Sequence, residues 1–222
     1  YTSLAFDSWG NPAISYYDVP HQNLKYASWN GTTLDWDIET VDSAGDVGQY
    51  TSLVLDASDN PAISYYDATN GNLKYAHWNG TGWDKEIVDS AGDVGRYNSL
   101  ALDSLGNPAI SYYDATNDDL KYAHFDGTVW DKETVDSAGD VGQYTSLALG
   151  SLDNPAISYY DATKGDLKYA YKCCGWTTWG IETVDSAGNV GLYTSLAFDC
   201  SYFPCLASGN PAISYYDASN GD

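Results

Sequence analysis

Three pairs of aspartates share one spacing: Asp42 and Asp46, Asp89 and Asp93, Asp136 and Asp140. Carboxylate oxygens are hard ligands, so each pair is a candidate Ca2+ site. The spacing does not match an EF-hand loop, and each pair brackets an Asp-Ser-Ala-Gly-Asp run. In such runs Asp closes Asx turns and Gly supplies positive φ, which gives the same residues a conformational use. A surface for a cationic partner is a third use. Acid–base catalysis has thin support. His21, His77 and His124 are the only histidines, and His77 and His124 share a repeat position that Ser28 and Tyr171 fill elsewhere. A position that accepts His, Ser or Tyr reads as a tolerant strand site. Paired carboxylates for glycoside hydrolysis need one acid tuned differently from its neighbour, and near-identical repeats single out no such pair.

Cys173, Cys174, Cys200 and Cys205 fall at two places where the repeat pattern breaks. A vicinal Cys173–Cys174 bond is strained, so cross-loop disulfides are expected, with three connectivities open. Four thiolates on zinc are the alternative, although the ribbon spacing is lacking. Disulfides would imply an oxidising, extracellular compartment. Asn30 and Asn79 open Asn-Gly-Thr, the N-glycosylation acceptor pattern, but Asn-Gly is equally a favoured hairpin turn. Trp29, Trp78, Trp83, Trp130 and Trp179, with Phe125, stand around the same turns. They are candidate ligand platforms or fillers of the space between sheets.

The elements that position these residues are repeated. Tyr-(Thr/Asn)-Ser-Leu begins at Tyr1, Tyr50, Tyr97, Tyr144 and Tyr193, and Asn-Pro-Ala-Ile-Ser-Tyr-Tyr-Asp at Asn11, Asn60, Asn107, Asn154 and Asn210. Leu-Lys-Tyr-Ala follows from Leu24, Leu73, Leu120 and Leu167. The 222 residues thus divide into repeats 1–49, 50–96, 97–143, 144–192 and a partial 193–222. Each repeat offers four short strands, in the second about Ser52–Asp56, Ala62–Tyr66, Leu73–Trp78 and Lys85–Val88, separated by Asp-, Asn- and Gly-rich turns. Four strands in one such repeat predict an all-β protein, a β-propeller of four-stranded antiparallel blades: four full and half of a fifth. Up-and-down strands put the second-to-third and fourth-to-first loops on one face, which becomes strongly acidic. The other loops share the opposite face. Lys25, Lys74, Lys121 and Lys168 hold one position in the third strand and are expected to pair with a loop Asp.

The Ser-Leu-Ala-Leu-Asp, Pro-Ala-Ile-Ser-Tyr-Tyr-Asp and Leu-Lys-Tyr-Ala strings resemble a repeat of secreted bacterial proteins of sialidase-like propeller type, over essentially the whole chain. The resemblance implies a propeller and, more often than an enzyme, a non-catalytic surface module. Asp126-Gly-Thr-Val-Trp130 resembles part of the structural Asp-box of that family. Its active sites use a cluster of arginines, whereas this chain has the single Arg96, which argues against sialidase activity.

Composition narrows the partners. Nine Lys and Arg against 31 Asp and Glu leave a net charge of −22, which repels nucleic acid and anionic membranes. No apolar run is long enough to span a bilayer as a helix. The chain lacks Met and a signal-peptide pattern, so it is expected to be a processed product or an excised piece. Half a blade would leave a β edge open, so copies of the chain or further repeats are expected to cover it. These features suggest a non-enzymatic, disulfide-bonded and glycosylated extracellular or cell-surface scaffold, adhesive or polymeric, with no cofactor required. A lectin-like propeller with repeated weak glycan sites is the alternative, and glycoside hydrolysis ranks last.

Overall fold

The computed structural model describes residues 1–173, 177–199 and 210–221. The first repeat forms β1 (Thr2–Phe6), β2 (Pro12–Asp18), β3 (Asn23–Asn30) and β4 (Asp35–Asp42). In the second are β5 (Val47–Leu55), β6 (Pro61–Asp67), β7 (Asn72–Trp78) and β8 (Trp83–Asp89). The third supplies β9 (Val94–Leu102), β10 (Pro108–Asp114), β11 (Asp119–Phe125) and β12 (Trp130–Asp136). The fourth gives β13 (Val141–Leu149), β14 (Pro155–Asp161), β15 (Asp166–Tyr171) and β16 (Gly180–Asp185), and the fifth β17 (Val190–Asp199) and β18 (Asn210–Asp217). Each full repeat is one four-stranded sheet in chain order, and β17 pairs with β18. This is the blade architecture of a β-propeller. Among the described residues the one helical piece is a 3-10 turn at Ser151–Asp153, and no helix is long and apolar enough to cross a membrane. The chain falls into two compact units, Tyr1–Leu100 and Ala101–Asp222.

The first strand of a blade runs longer than its sequence suggests. In the second repeat it starts at Val47, inside the run expected to be turn, because the Val47 N–H donates to Gln22 O of the preceding blade at 3.0 Å. A bulge between Gln49 and Ser52 absorbs the extra residue. It holds Tyr50 at φ +53°, and Tyr97, Tyr144 and Tyr193 repeat that left-handed conformation. Gly48, at φ +103°, is forced by close approach as well: a Cβ there would lie 2.7 Å from Leu24 Cα. Gly95 and Gly142 stand equally close to Leu73 and Leu120.

Period-2 alternation on a strand packed from both sides buries every residue of β6 and β10. In the first unit the core joins Leu24, Tyr26, Val47, Leu53, Ile63 and Tyr65; in the second it joins Leu120, Tyr122, Val141, Leu147, Ile157 and Tyr159. Serines stitch neighbouring blades: Leu53 N and Leu100 N donate to Ser3 Oγ and Ser52 Oγ at 3.0 and 3.1 Å. Leu4, the first-repeat counterpart of Leu53, is 56 % exposed against 5 % for Leu53, since the latter packs on a preceding blade.

Candidate functional site

The acidic face is built from acceptors already in use. Asp42 ends β4 with 2 % of its side chain exposed. It accepts from Lys74 Nζ at 2.5 Å and Tyr65 Oη at 2.7 Å, both of the next blade, and from Ala44 N at 3.2 Å. Burial pushes its carboxyl up, but these donors outweigh it and hold it below the ordinary value. Asp136 is bound in the same way by Lys168 and by Tyr159 Oη at 2.7 Å, and its carboxyl is likewise lowered. Lys74 and Lys168 therefore reach to the end of the preceding blade's outer strand rather than only to a loop of their own blade. Lys121 lies 3.8 Å from Asp114 of its own blade, as a local pair would.

The second pair members face the other way. Tyr17 donates to Asp46 at 2.7 Å, Tyr66 to Asp93 at 2.6 Å and Tyr113 to Asp140 at 2.9 Å. The Tyr65-Tyr66 dipeptide thus ties the turn runs at the two ends of its blade, one hydroxyl reaching back to Asp42 and one forward to Asp93. Asp89 takes the Ala91 N–H at 3.2 Å. Among the described residues no group of three or more His, Cys, Asp or Glu is arranged to hold a metal ion. Arg96 is bound to Asp93 at 2.6 Å and lies over the Tyr66 ring.

Between the third and fourth blades lies a cavity of about 520 Å³, lined by Asp103, Tyr122, His124, Asp131, Lys132, Glu133, Asp153, Pro155 and Lys172. Alternation along β11 turns Tyr122 and His124 the same way, and the register sets Glu133 opposite Tyr122 and Asp131 opposite His124. Lys172 crosses from the fourth repeat to Glu133 at 2.6 Å, and its ammonium lies 4.9 Å from the Trp179 ring centre. Trp179 stands edge-on to Tyr122 at 5.4 Å. His124 Nε2 is 3.2 Å from Asp103 Oδ2. Burial raises the Asp103 carboxyl, but Asn107 and His124 outweigh that and hold it low. Ser104 N and Oγ bind Asp153 at 2.9 and 2.6 Å, clamping the two blades at the rim.

A smaller cavity, of about 350 Å³, occupies the same place between the first and second blades. There Ser8 clamps Asp59 at 2.8 and 2.6 Å. Asp59 and Asp153 hold φ +63° and +58° where the odd repeats place Gly10 and Gly106. The strained aspartates are the ones that hook a neighbour.

Trp29 lines the smaller cavity, whereas Trp179 is not among the residues that line the larger and packs against the core. Trp83 packs edge-on against Tyr26 at 5.5 Å and Trp78 edge-on against Trp83 at 5.9 Å, while Trp130 is tilted against Phe125 at 5.5 Å, which makes these three largely filler. Asn30 and Asn79 close their turns: each Oδ1 accepts backbone N–H groups, and each Nδ2 donates at 2.9 Å, to Asp37 and Asp84. Asp126 accepts the same turn bonds in the third repeat, so what the turn requires is the acceptor oxygen. Cys173 is half-buried and forms no disulfide with a described residue. Cys174, Cys200 and Cys205 lie outside the described residues.

Sequence reasoning passed over most of the cavity. One signal was available: the chain's only glutamates, Glu39, Glu86, Glu133 and Glu182, all stand at one repeat position. Each faces the buried third-strand tyrosine, Tyr26, Tyr75, Tyr122 or Tyr169. Burial and then the glutamate raise these phenols, Tyr26 to about 12.

No family model matches the chain, and no curated protein sequence matches it. Solved structures do. The SapL1 lectin, in complex with α-methyl fucoside, is 14 % identical with a TM-score of 0.65, over 99 % of this chain and 74 % of its own. A variant of the Aleuria aurantia lectin, with Fucα1-6GlcNAc, is 12 % identical with a TM-score of 0.58, over 97 % and 70 %. The Hadza microbial sialidase Hz136 is 10 % identical with a TM-score of 0.65, over 100 % of this chain and 53 % of its own. At such identities the likeness shows the fold, a β-propeller.

Proposed function

We propose that this chain is a non-enzymatic glycan-binding β-propeller of the extracellular space or cell surface, and that the cavity between the third and fourth blades takes a neutral sugar. The observation that carries this reading is the Lys172–Glu133 pair in the wall of that cavity. A neighbouring cation and carboxylate present a donor and an acceptor side by side, which suits two adjacent sugar hydroxyls, and the Tyr122 ring lines the same cavity. Two of the similar folds are lectins holding fucosides, which supports sugar binding over the scaffold expected from the sequence.

Hydrolysis is the weaker reading. Asp103 is held ionised by its donors, Asp153 is tied to Ser104, Glu133 is tied to Lys172, and Asp131 is exposed. No carboxyl among them sits in the apolar surroundings that keep a general acid protonated.

Calorimetric titration with methyl fucoside, galactose, mannose and glucose tests the proposal. One of these should bind, and Glu133→Gln and Lys172→Ala should each weaken it by about tenfold or more, the size of a hydrogen bond to a charged group. No binding by any of them, or binding untouched by both substitutions, would overturn it.

A further inference from the structure

We infer that Asn79 is a self-modifying residue: its side chain closes on the Gly80 nitrogen, loses ammonia and becomes aspartate or isoaspartate, with water as the co-reactant. Asn-Gly steps occur at Asn30, Asn70, Asn79 and Asn220. The reaction uses the glycine nitrogen as nucleophile, and the fold divides these steps by what that nitrogen does. Gly71 N donates to Asp67 O and Gly221 N to Asp217 O, both at 2.8 Å, so each is held in a turn. The Gly31 and Gly80 N–H groups have no hydrogen-bond partner among the described residues. Asn79 and Gly80 are both exposed, and Gly80 stands at φ +92° with open space around it. The acceptor is prepared as well. Asn79 Oδ1 takes the Thr81 hydroxyl at 2.8 Å and the Thr81 and Gly82 N–H groups at 2.9 and 3.0 Å. These donors lie on the oxygen that gains negative charge when a nucleophile attacks Cγ. Asn30 Oδ1 takes only the Thr32 and Thr33 N–H groups, at 3.0 and 3.2 Å, and ranks second.

The Gly80 nitrogen gives its proton to hydroxide and bonds to Asn79 Cγ. The Cγ–Nδ2 bond then breaks as Nδ2 takes a proton from water and leaves as ammonia. Water opens the resulting cyclic imide: attack at Cγ restores the peptide bond and gives aspartate, and attack at the main-chain carbonyl gives isoaspartate. The net change is amide plus water to carboxylic acid plus ammonia, and nothing is oxidised or reduced. The third repeat already holds the aspartate product. Asp126 N donates to Val129 O at 3.1 Å as Asn79 N does to Gly82 O at 3.0 Å, and Asp126 Oδ1 accepts the same turn donors. Its carboxyl is held below the ordinary range, by the Thr128 side chain foremost. Asp131 stands opposite His124 as Asp84 stands opposite His77, so the blade tolerates a carboxylate at both positions. Modification therefore adds a negative charge to the second blade and leaves its turn closed. A glycan on Asn79 Nδ2 would block the change, since that nitrogen is the one that leaves.

The test incubates the intact, unglycosylated chain in mildly alkaline buffer made with heavy-oxygen water, once folded and once in denaturant. Peptide mass spectrometry then reads label uptake and isoaspartate at each Asn-Gly step. In the folded chain Asn79 should react first and Asn30 next. Asn70 and Asn220 should lag by about fivefold or more, the size of a backbone hydrogen bond that must open. In denaturant the rates should converge, because every glycine nitrogen is then free. Thr81→Ala, which removes one donor from Oδ1, should slow Asn79 by about threefold while the chain keeps its tryptophan fluorescence. Equal rates at Asn70 and Asn79 in the folded chain would overturn the inference. So would a folded chain in which Asn79 stays intact while the unfolded chain reacts, or a Thr81→Ala chain that reacts faster.

Discussion

Replacing Asp42 by Ala isolates what the acidic face does. In the folded chain this carboxylate is nearly sequestered from water and holds Lys74 at 2.5 Å and the Tyr65 hydroxyl at 2.7 Å, with Lys85 Nζ at 3.8 Å. Removing it strands a cation that is only 12 % exposed and a phenol that is fully buried. Breaking one side of a buried pair costs about 3–5 kcal/mol, because the remaining charge stays desolvated. For a chain of this length that corresponds to a fall in Tm of roughly 6–20 °C. Asp46→Ala removes the second member of the same pair, whose partners are Tyr17 and Gln49 in a more open setting, and should cost about 1 kcal/mol. Thermal melts followed by tryptophan fluorescence read both. The pH dependence follows from the lowered Asp42 carboxyl. A depressed folded value contributes stability that is present above the unfolded pKa of Asp and lost as the pH falls through the folded one. The gap between wild type and Asp42→Ala should therefore be widest near neutrality and close in acid. Equal cost for the two substitutions would refute the buried-pair account. A large rise in wild-type Tm on adding Ca2+, abolished by Asp42→Ala, would show that these carboxylates serve an ion instead.

Two further perturbations probe the blades. Gly48→Ala should cost about 2–3 kcal/mol or more, since the new Cβ meets backbone in a left-handed conformation; Gly10→Ala, at φ +83° with open space around it, should cost only about 1 kcal/mol. Comparable melts for the two would remove the close-approach argument. Asn79→Asp should leave Tm within about 1 °C, because Asp126 closes the equivalent turn in the third repeat, whereas Asn79→Ala should lose about 1 kcal/mol. Melts of the two variants side by side check it, and an Asn79→Asp chain as unstable as the alanine variant would show that the turn needs the amide.

Repetition made the architecture legible. Four strand-and-turn runs per repeat specify a four-stranded blade, because alternating apolar residues and Asn-, Asp- and Gly-rich turns leave the chain few other ways to satisfy its backbone. The turn role of Asn30, Asn79 and Asp126 was readable for the same local reason. The start of β5 was not, since it depends on a hydrogen bond from Val47 to a residue of the preceding blade.

The sequence by itself determined which residues share a strand, a turn and a repeat position, because those relations are set by covalent spacing and period-2 alternation. It marked the aspartates as acidic-face residues and gathered every glutamate at one position. Only the tertiary structure decided what they face. Asp42 meets Lys74 32 residues on, Glu133 meets Lys172 39 residues on, and Ser8 meets Asp59 51 residues on. Alternation says that a side chain leaves the sheet and on which side. Which charge or hydroxyl waits across the gap follows from how one blade stacks on the next, and at the two cavities that stacking sets corresponding acids beside different neighbours.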